Sequence, residues 1–297
     1  MKAAPFAYVR PSRLSDAIAE LAETRGGGKV IAGGQSLAPV LAMRLARPDT
    51  LIDINSIEEL RALTRSGSAL HIGAVVRQRR VERDPLSRSV PLLRLALPWV
   101  GHRELRSRGT VCGSLAHADP AAELPAVACC LDAELTLTGP SGHRRVSARD
   151  FFHGAMTTAL TPDEILTSVR LPVAAEGEGF GFAEIARRHG DFALAGVAVR
   201  VRLRAGRPEA TMTAFGVSDR PVTRDVSEQL AAAVTGGDAL AGRLKGPLSA
   251  VADEIVDTDG DVHASTDYRR RLLLALAGRE LSKAYERARD GAEEVTT

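Results

Sequence analysis

Two adjacent glycines, Gly33 and Gly34, follow the β-favouring run Lys29-Val30-Ile31 and precede Gln35-Ser36-Leu37. A strand that runs into Gly-Gly stops and turns there, because glycine opens backbone conformations closed to other residues. With no side chains in the way, the segment Ala32 to Ser36 can aim several N–H groups at one anion. The same residues also suit an ordinary tight turn. A second element elsewhere in the chain has to decide between the two readings.

The surroundings of this turn read as a compact β-α-β unit. Phe6, Tyr8 and Val9 suit a strand at a sheet edge. An amphipathic helix begins near Ser12 to Asp16, with Ala17, Ile18, Leu21 and Ala22 on one face, and Gly26-Gly27-Gly28 ends it. Leu37 to Leu45 reads as a short helix and Thr50 to Ile54 as the next strand. Further on, Leu70, Ile72 and Ala74 alternate like a strand, and Leu92 to Val100 and Ala121 to Leu131 read as helical. Glu134 to Thr138, the turn Gly139-Pro140-Ser141-Gly142 and Arg145-Val146 form a hairpin, and Ile165 to Leu171 is another strand.

The glycine-rich acidic run Ala174 to Gly181 marks the expected domain boundary. Beyond it, strands at Phe182 to Ile185, Ala195 to Leu203 and Thr211 to Val217 precede helices at Val226 to Thr235, Pro247 to Val256 and Asp267 to Ala288. Strands followed by helices indicate an α+β layer. The expected division is 1–175, with subdomains 1–58 and 59–175, then 180–288, with a frayed tail over 289–297.

At 297 residues the chain has room for two domains. A net charge of +2 argues against a nucleic-acid protein working through bulk positive charge. Three cysteines, Cys112, Cys129 and Cys130, form neither a disulfide framework nor a metal or ferredoxin spacing. No membrane span or apolar leader is evident, so a reducing cytoplasm is the expected setting.

The second element is the segment Arg106-Ser107-Arg108-Gly109-Thr110-Val111-Cys112-Gly113-Ser114, continuing through Leu115-Ala116-His117-Ala118-Asp119-Pro120-Ala121-Ala122-Glu123-Leu124-Pro125. Here a glycine loop runs into small residues and reaches an acid at a helix start. Thr110 and Ser114 offer hydroxyls to a phosphate, and Gly113 lets the backbone approach. Asp119 with Pro120 suits an N-cap and first helical position, and Glu123 a first-turn acid.

The pair AGGQSL and RGTVCGSLAHADPAAELP resembles the two FAD-binding motifs of the flavoprotein subunit of molybdenum hydroxylases, the family of carbon monoxide dehydrogenase medium subunits and the xanthine dehydrogenase flavin domain. The similarity continues through Thr161-Pro162-Asp163-Glu164-Ile165-Leu166 and through Phe182-Ala183-Glu184-Ile185-Ala186-Arg187-Arg188-His189-Gly190-Asp191-Phe192-Ala193. It covers nearly the whole chain in order.

The resemblance implies an α+β fold: a PCMH/vanillyl-alcohol-oxidase-type FAD-binding domain of two subdomains, then a small α+β C-terminal domain. It implies that Val30, Ile31, Ala32, Gly33, Gly34, Gln35, Ser36 and Leu37 wrap the FAD diphosphate. Thr110, Val111, Cys112, Gly113 and Ser114 then form the second phosphate and ribityl contact. Asp119 or Glu123 holds polar groups of the adenosine or ribityl half, and Ile165 and Leu166 lie against the isoalloxazine. Ala183 stands where some relatives carry a flavin-contacting lysine, and Val100 where some NAD-using relatives carry an aromatic residue. Arg187, Arg188 and Asp191 would lie near the flavin mouth. Many relatives have glycine where this chain has Cys112, whose thiol is expected to pack inside.

Functionally, the resemblance implies an electron-transfer subunit with no acid–base residue of its own. Substrate would be oxidised at a molybdenum cofactor on a large partner, with electrons passing through [2Fe-2S] clusters of a small partner to FAD here and on to an external acceptor. The expected assembly is a dimer of heterotrimers. A stand-alone FAD oxidase of related fold is the alternative, and a flavin-free binding module a further one. Only three tyrosines and one tryptophan, with a short second half, favour the subunit.

Overall fold

The computed structural model describes residues 2–235 and 239–293. Its backbone divides into two compact units. The first takes 2–87, 102–118 and 133–172, and the second takes 88–101, 119–132 and the described residues from 173 onward.

The first unit opens with three parallel strands, β1 (Ala7–Val9), β2 (Gly28–Ile31) and β3 (Thr50–Asp53), in the order β1-β3-β2. Parallel neighbours need crossovers, and the helices Leu14–Glu23 and Leu37–Ala42 supply them. The first buries Ala17 and Leu21. The second is shorter than the expected run to Leu45, because Arg44 turns to a φ of 58° and ends it.

An antiparallel sheet completes this unit. Its strands are β4 (Leu63–Ser66), β5 (Ala69–Gly73), β6 (Glu134–Gly139), β7 (Gly142–Ser147) and, after a short pair β8 (Phe152–Gly154) and β9 (Thr157–Thr158), β10 (Ile165–Pro172). The order is β4-β5-β10-β6-β7. The motif at Thr161 to Glu164 has a structural task here. Arg144 on β7 donates to both oxygens of the Glu164 carboxylate, at 2.7 and 2.8 Å, and Thr161 N–H donates to it as well.

The second unit is built on β11 (Glu178–Ala186), β12 (Ala193–Arg204), β13 (Arg207–Phe215) and β14 (Val222–Asp225), antiparallel in chain order. Side chains alternate across the sheet. Ala183, Val197, Val199, Met212 and Ala214 join one apolar cluster with Leu273, Ala277, Leu281 and Ala284 of the long helix Thr266–Glu293. Phe182 and Phe215 stack on the other face, with ring centroids 5.6 Å apart.

The helix Glu123–Cys130 lies against β12 and β13. All eight of its residues are buried, and a helix apolar all round has to be covered all round. That requirement draws 119–132 away from its chain neighbours and into the second unit, although the linear division at 175–180 groups it with the first. The frayed tail expected from 289 is corrected in part. The helix runs on to Glu293 because Ala284 and Ala288 are buried in the core, and 294–297 lie outside the described residues.

Gly179 sets how closely β11 lies on this helix, since a Cβ there would collide with the carbonyl oxygen of Ala284. Gly179→Ala is expected to cost about 1–3 kcal/mol through overpacking. Chemical denaturation measures it, and an unchanged midpoint would show that the strand and helix have room to part.

Candidate functional site

The two glycine motifs meet inside the first unit. Gly33 is buried against the second motif, and a Cβ on it would collide with the Arg108 carbonyl and the Gly109 backbone. Only glycine permits this approach. Gly34, next to it, has a φ of 72°, a left-handed conformation that reverses the chain into the helix at Leu37.

A polar bracket holds both loops from behind. Asn55 donates through Nδ2 to the Ala32 carbonyl at 2.7 Å. Arg77 donates to the Asn55 Oδ1 at 2.7 Å and to the Arg108 carbonyl at 2.5 Å. Asp53 anchors Asn55, accepting from its backbone N–H at 2.8 Å, and Tyr8 donates its hydroxyl to the same carboxylate. Burial would lift the Asp53 carboxyl, but the Tyr8 and Asn55 hydrogen bonds and nearby Arg10 together hold its pKa below the ordinary value. Gln78 ties in the second loop, its N–H donating to the Gly109 carbonyl at 2.9 Å.

This bracket determines which way the first loop faces. The Ala32 carbonyl is turned inward to Asn55, and Gln35 Nε2 donates to the Gly33 carbonyl at 3.2 Å. Among the described residues, the N–H groups of Gly33, Gly34, Gln35 and Ser36 donate to no protein acceptor. Gln35 and Ser36 are exposed. A run of backbone N–H groups without a protein acceptor is the donor set that an anion-binding nest needs. It fits a diphosphate, and its donors are backbone groups that need no ionisation. Val30 and Ile31 sit on β2 and Leu37 opens the following helix, so they frame the nest.

The second motif departs from the expected open loop. Val111–His117 is a helix, and Thr110 is its N-cap, accepting the Gly113 N–H at 2.9 Å. The Thr110 oxygen is therefore an acceptor within its own helix and the side chain is buried, while its hydroxyl proton is the donor that a phosphate contact would use. Val111 N–H donates to the Val76 carbonyl at 3.4 Å. Ser114, half-buried one turn on, keeps a hydroxyl on this helix. Cys112 is 2% exposed and its thiol donates to the Ile72 carbonyl at 3.5 Å, with burial pushing its pKa up to about 12. Ile165 and Leu166 are buried within the sheet that carries them. Protein already covers both side chains, so contact with a flavin ring would fall to their backbone.

The remaining expected residues belong to the second unit: Val100, Asp119, Glu123 and Ala183. Val100 is buried after the 3-10 turn Leu97–Trp99. Asp119 is no N-cap. Its carboxylate accepts the Ala121 N–H at 2.8 Å in a turn, and the helix starts later, with Ala122 at the cap and Glu123 first. Ala183 is corrected more sharply, because strand alternation points it into the apolar cluster under the long helix. The next residue, Glu184, faces the opposite side. It is 3% exposed, its Oε2 has no hydrogen-bond partner, and burial with the nearby Glu123 carboxylate pushes its pKa up to about 9. Past β11, Arg187 reaches His263 at 3.1 Å, His189 stacks on Trp99, and Phe192 stands 67% exposed.

Sequence reasoning missed Asn55, Arg77 and Gln78. Arg77 lies in the basic run Arg77 to Arg80, whose local pattern suits a solvated helix face or a partner contact. Asn55 gave one faint signal, a side-chain amide two residues after the acid that ends β3.

Comparison with known proteins gives the family of the chain. Residues 4–174 match the FAD-binding domain in molybdopterin dehydrogenase, and residues 180–284 match the C-terminal domain of the CO dehydrogenase flavoprotein. The chain is 35% identical over 291 residues to caffeine dehydrogenase subunit beta of Pseudomonas sp. strain CBB1, covering 97% of each. It is 33% identical to the carbon monoxide dehydrogenase medium chain of Afipia carboxidovorans, covering 96% of this chain and 98% of that one. A carbon monoxide dehydrogenase structure from Hydrogenophaga pseudoflava superposes with a TM-score of 0.89 at 30% identity, over 97% of this chain and 99% of that chain.

The environment of Cys112 makes a direct prediction. A thiol so buried and so hard to ionise is inert to alkylation. Iodoacetamide at mildly alkaline pH, followed by peptide mass spectrometry, is expected to leave Cys112 unmodified in the native protein and label it after denaturation. Native labelling would contradict its placement in the core.

Proposed function

The chain belongs to the family of FAD-binding subunits of the molybdenum hydroxylases, and from that premise we propose that it is the electron-transfer subunit of a three-chain enzyme. In this reading a large partner carries the molybdenum cofactor and oxidises the substrate. A small partner carries [2Fe-2S] clusters, and electrons cross the FAD held here to an external acceptor. Two such heterotrimers pair, and the assembly works in the cytoplasm.

The observation that carries this reading is the nest at Gly33 to Ser36, whose N–H groups have no protein acceptor and are aimed by the Asn55–Arg77 bracket. FAD supplies the redox chemistry when bound. The chain's own part is to bind and orient it. The nest takes the diphosphate through backbone donors whose charge state does not vary with pH. The Ser114 hydroxyl adds a polar contact on the second motif, while Thr110, Val111, Cys112 and Gly113 fix the helix that presents it. The backbone at Ile165 and Leu166 meets the polar edge of the ring. Among the described residues no group of histidine, cysteine and carboxylate side chains is placed to hold a metal ion.

Two measurements test this. Purified protein is expected to be yellow, with about one FAD per chain, and Gly33→Ala, which wedges the two loops apart, is expected to lose the flavin while keeping its circular dichroism. Unchanged flavin content in that variant would remove the diphosphate from this loop. Affinity purification from the native host is expected to bring down two further chains, one with molybdenum and one with iron. A yellow chain that purifies alone and is bleached by a reducing substrate would favour the stand-alone oxidase.

A further inference from the structure

The second unit carries a basic cavity of about 500 Å³, lined by Arg88, Arg94 and Arg287, by Pro91 and Leu95, and by the start of β11. All of these residues lie within that unit, and none belongs to the two glycine motifs. The arginines reach the cavity from separate places in the chain. Arg88 precedes the helix Pro91–Ala96, Arg94 lies on it, and Arg287 lies on the long helix Thr266–Glu293. The Ala174 N–H donates to the Ser89 carbonyl at 2.8 Å and so holds the segment that carries Arg88. Arg287 donates through Nη1 to the Phe180 carbonyl of β11, which fixes its guanidinium at the cavity wall.

The charge of this cavity is not balanced from within. Among the described residues no carboxylate pairs with Arg88, Arg94 or Arg287. The acid in the wall, Glu178, is already spent. Arg202 holds one of its oxygens, and the Ala175 N–H donates to the other at 2.8 Å. What remains is a set of guanidinium donors with no oxyanion to receive them. Pro91 and Leu95, both half-buried, add apolar surface to the lining. A lining that is basic and apolar at once suits carboxylates on hydrocarbon stems, as aspartate and glutamate side chains present them. A free inorganic anion would leave the apolar part unused.

We propose that this cavity docks an acidic segment of a partner chain, whose aspartate and glutamate side chains pair with Arg88, Arg94 and Arg287. The inference rests on the three-chain reading above. The guanidinium fork takes a carboxylate through two parallel hydrogen bonds, and arginine is enriched where protein surfaces meet. β11 is the edge strand of its sheet. Because Arg287 occupies the Phe180 carbonyl on that edge, the segment is read through its side chains and is not added as a further strand.

The complex is purified from the native host through an affinity tag on this chain, as wild type, as Arg88→Glu/Arg94→Glu and as Arg88→Lys/Arg94→Lys. Both side chains are exposed, so the charge-reversed variant is expected to keep its flavin and its circular dichroism. It is expected to bring down about tenfold less of one partner at physiological salt. The lysine variant is expected to retain that partner, and wild-type recovery to fall as salt is raised. A photo-cross-linking residue at position 95 is expected to join a peptide of the same partner rich in aspartate and glutamate. Undiminished partner recovery with the charge-reversed variant overturns the inference, and so does a cross-link to a segment without acids. The cross-link decides alone if the reversed variant fails to fold. Inorganic pyrophosphate is titrated into the wild-type and reversed complexes by calorimetry. Binding that the reversal abolishes, with partner recovery unchanged, identifies a small-anion site and overturns the docking. A wild-type chain that brings down no partner overturns the three-chain reading and this inference with it, an outcome distinct from an intact complex that ignores the reversal.

Discussion

The close approach of Gly33 to the backbone of Arg108 and Gly109 governs the first unit. It needs a residue without a Cβ on one side and a loop held still on the other. Asn55 and Arg77 provide the second condition by taking one carbonyl from each loop. Among the described residues, the four consecutive N–H groups of Gly33 to Ser36 donate to no protein acceptor. Buried backbone donors are nearly always paired. Unpaired ones on a held, partly exposed loop suit the anion of the proposed function. The loop's order thus comes from side chains behind it rather than from the ligand, and that pre-organisation lowers the cost of binding.

Much of the fold was legible in the sequence. The β-α-β start, the hairpin at Gly139 to Gly142, the strands of the second sheet and the long last helix all carry strong period or turn signals. What was not legible depends on tertiary packing. The helix Glu123–Cys130 gave a clear helical signal, but nothing local says that its all-round burial assigns it to the second unit. The start of that helix was misread for a related reason. Asp119-Pro120 is a good helix start in the abstract, yet its carboxylate closes a turn two residues on and the helix waits for Glu123.

The site divides in the same way. Glycines announce turns and close approaches, so Gly33, Gly34 and Gly113 stood out in the sequence, and the family resemblance gave them a role. Thr110 was legible as a polar residue ahead of Gly113, but not as the N-cap that accepts the Gly113 N–H. Ala183 and Glu184 differ by one residue and point to opposite faces of β11, and a period of two cannot be phased without knowing which face meets the helix. Asn55 and Arg77 act across distances in sequence that no local pattern records. Their role appears only once β3 and both loops are in place.

The central claim is that the loop at Gly33 binds a diphosphate and not simply a flavin. Calorimetric titration of the flavin-stripped protein with FAD, FMN and riboflavin tests it most directly, with ADP as competitor. The account predicts that FAD binds far more tightly than riboflavin, that FMN falls between them, and that ADP competes with FAD. Riboflavin binding as tightly as FAD, with no competition from ADP, would contradict it.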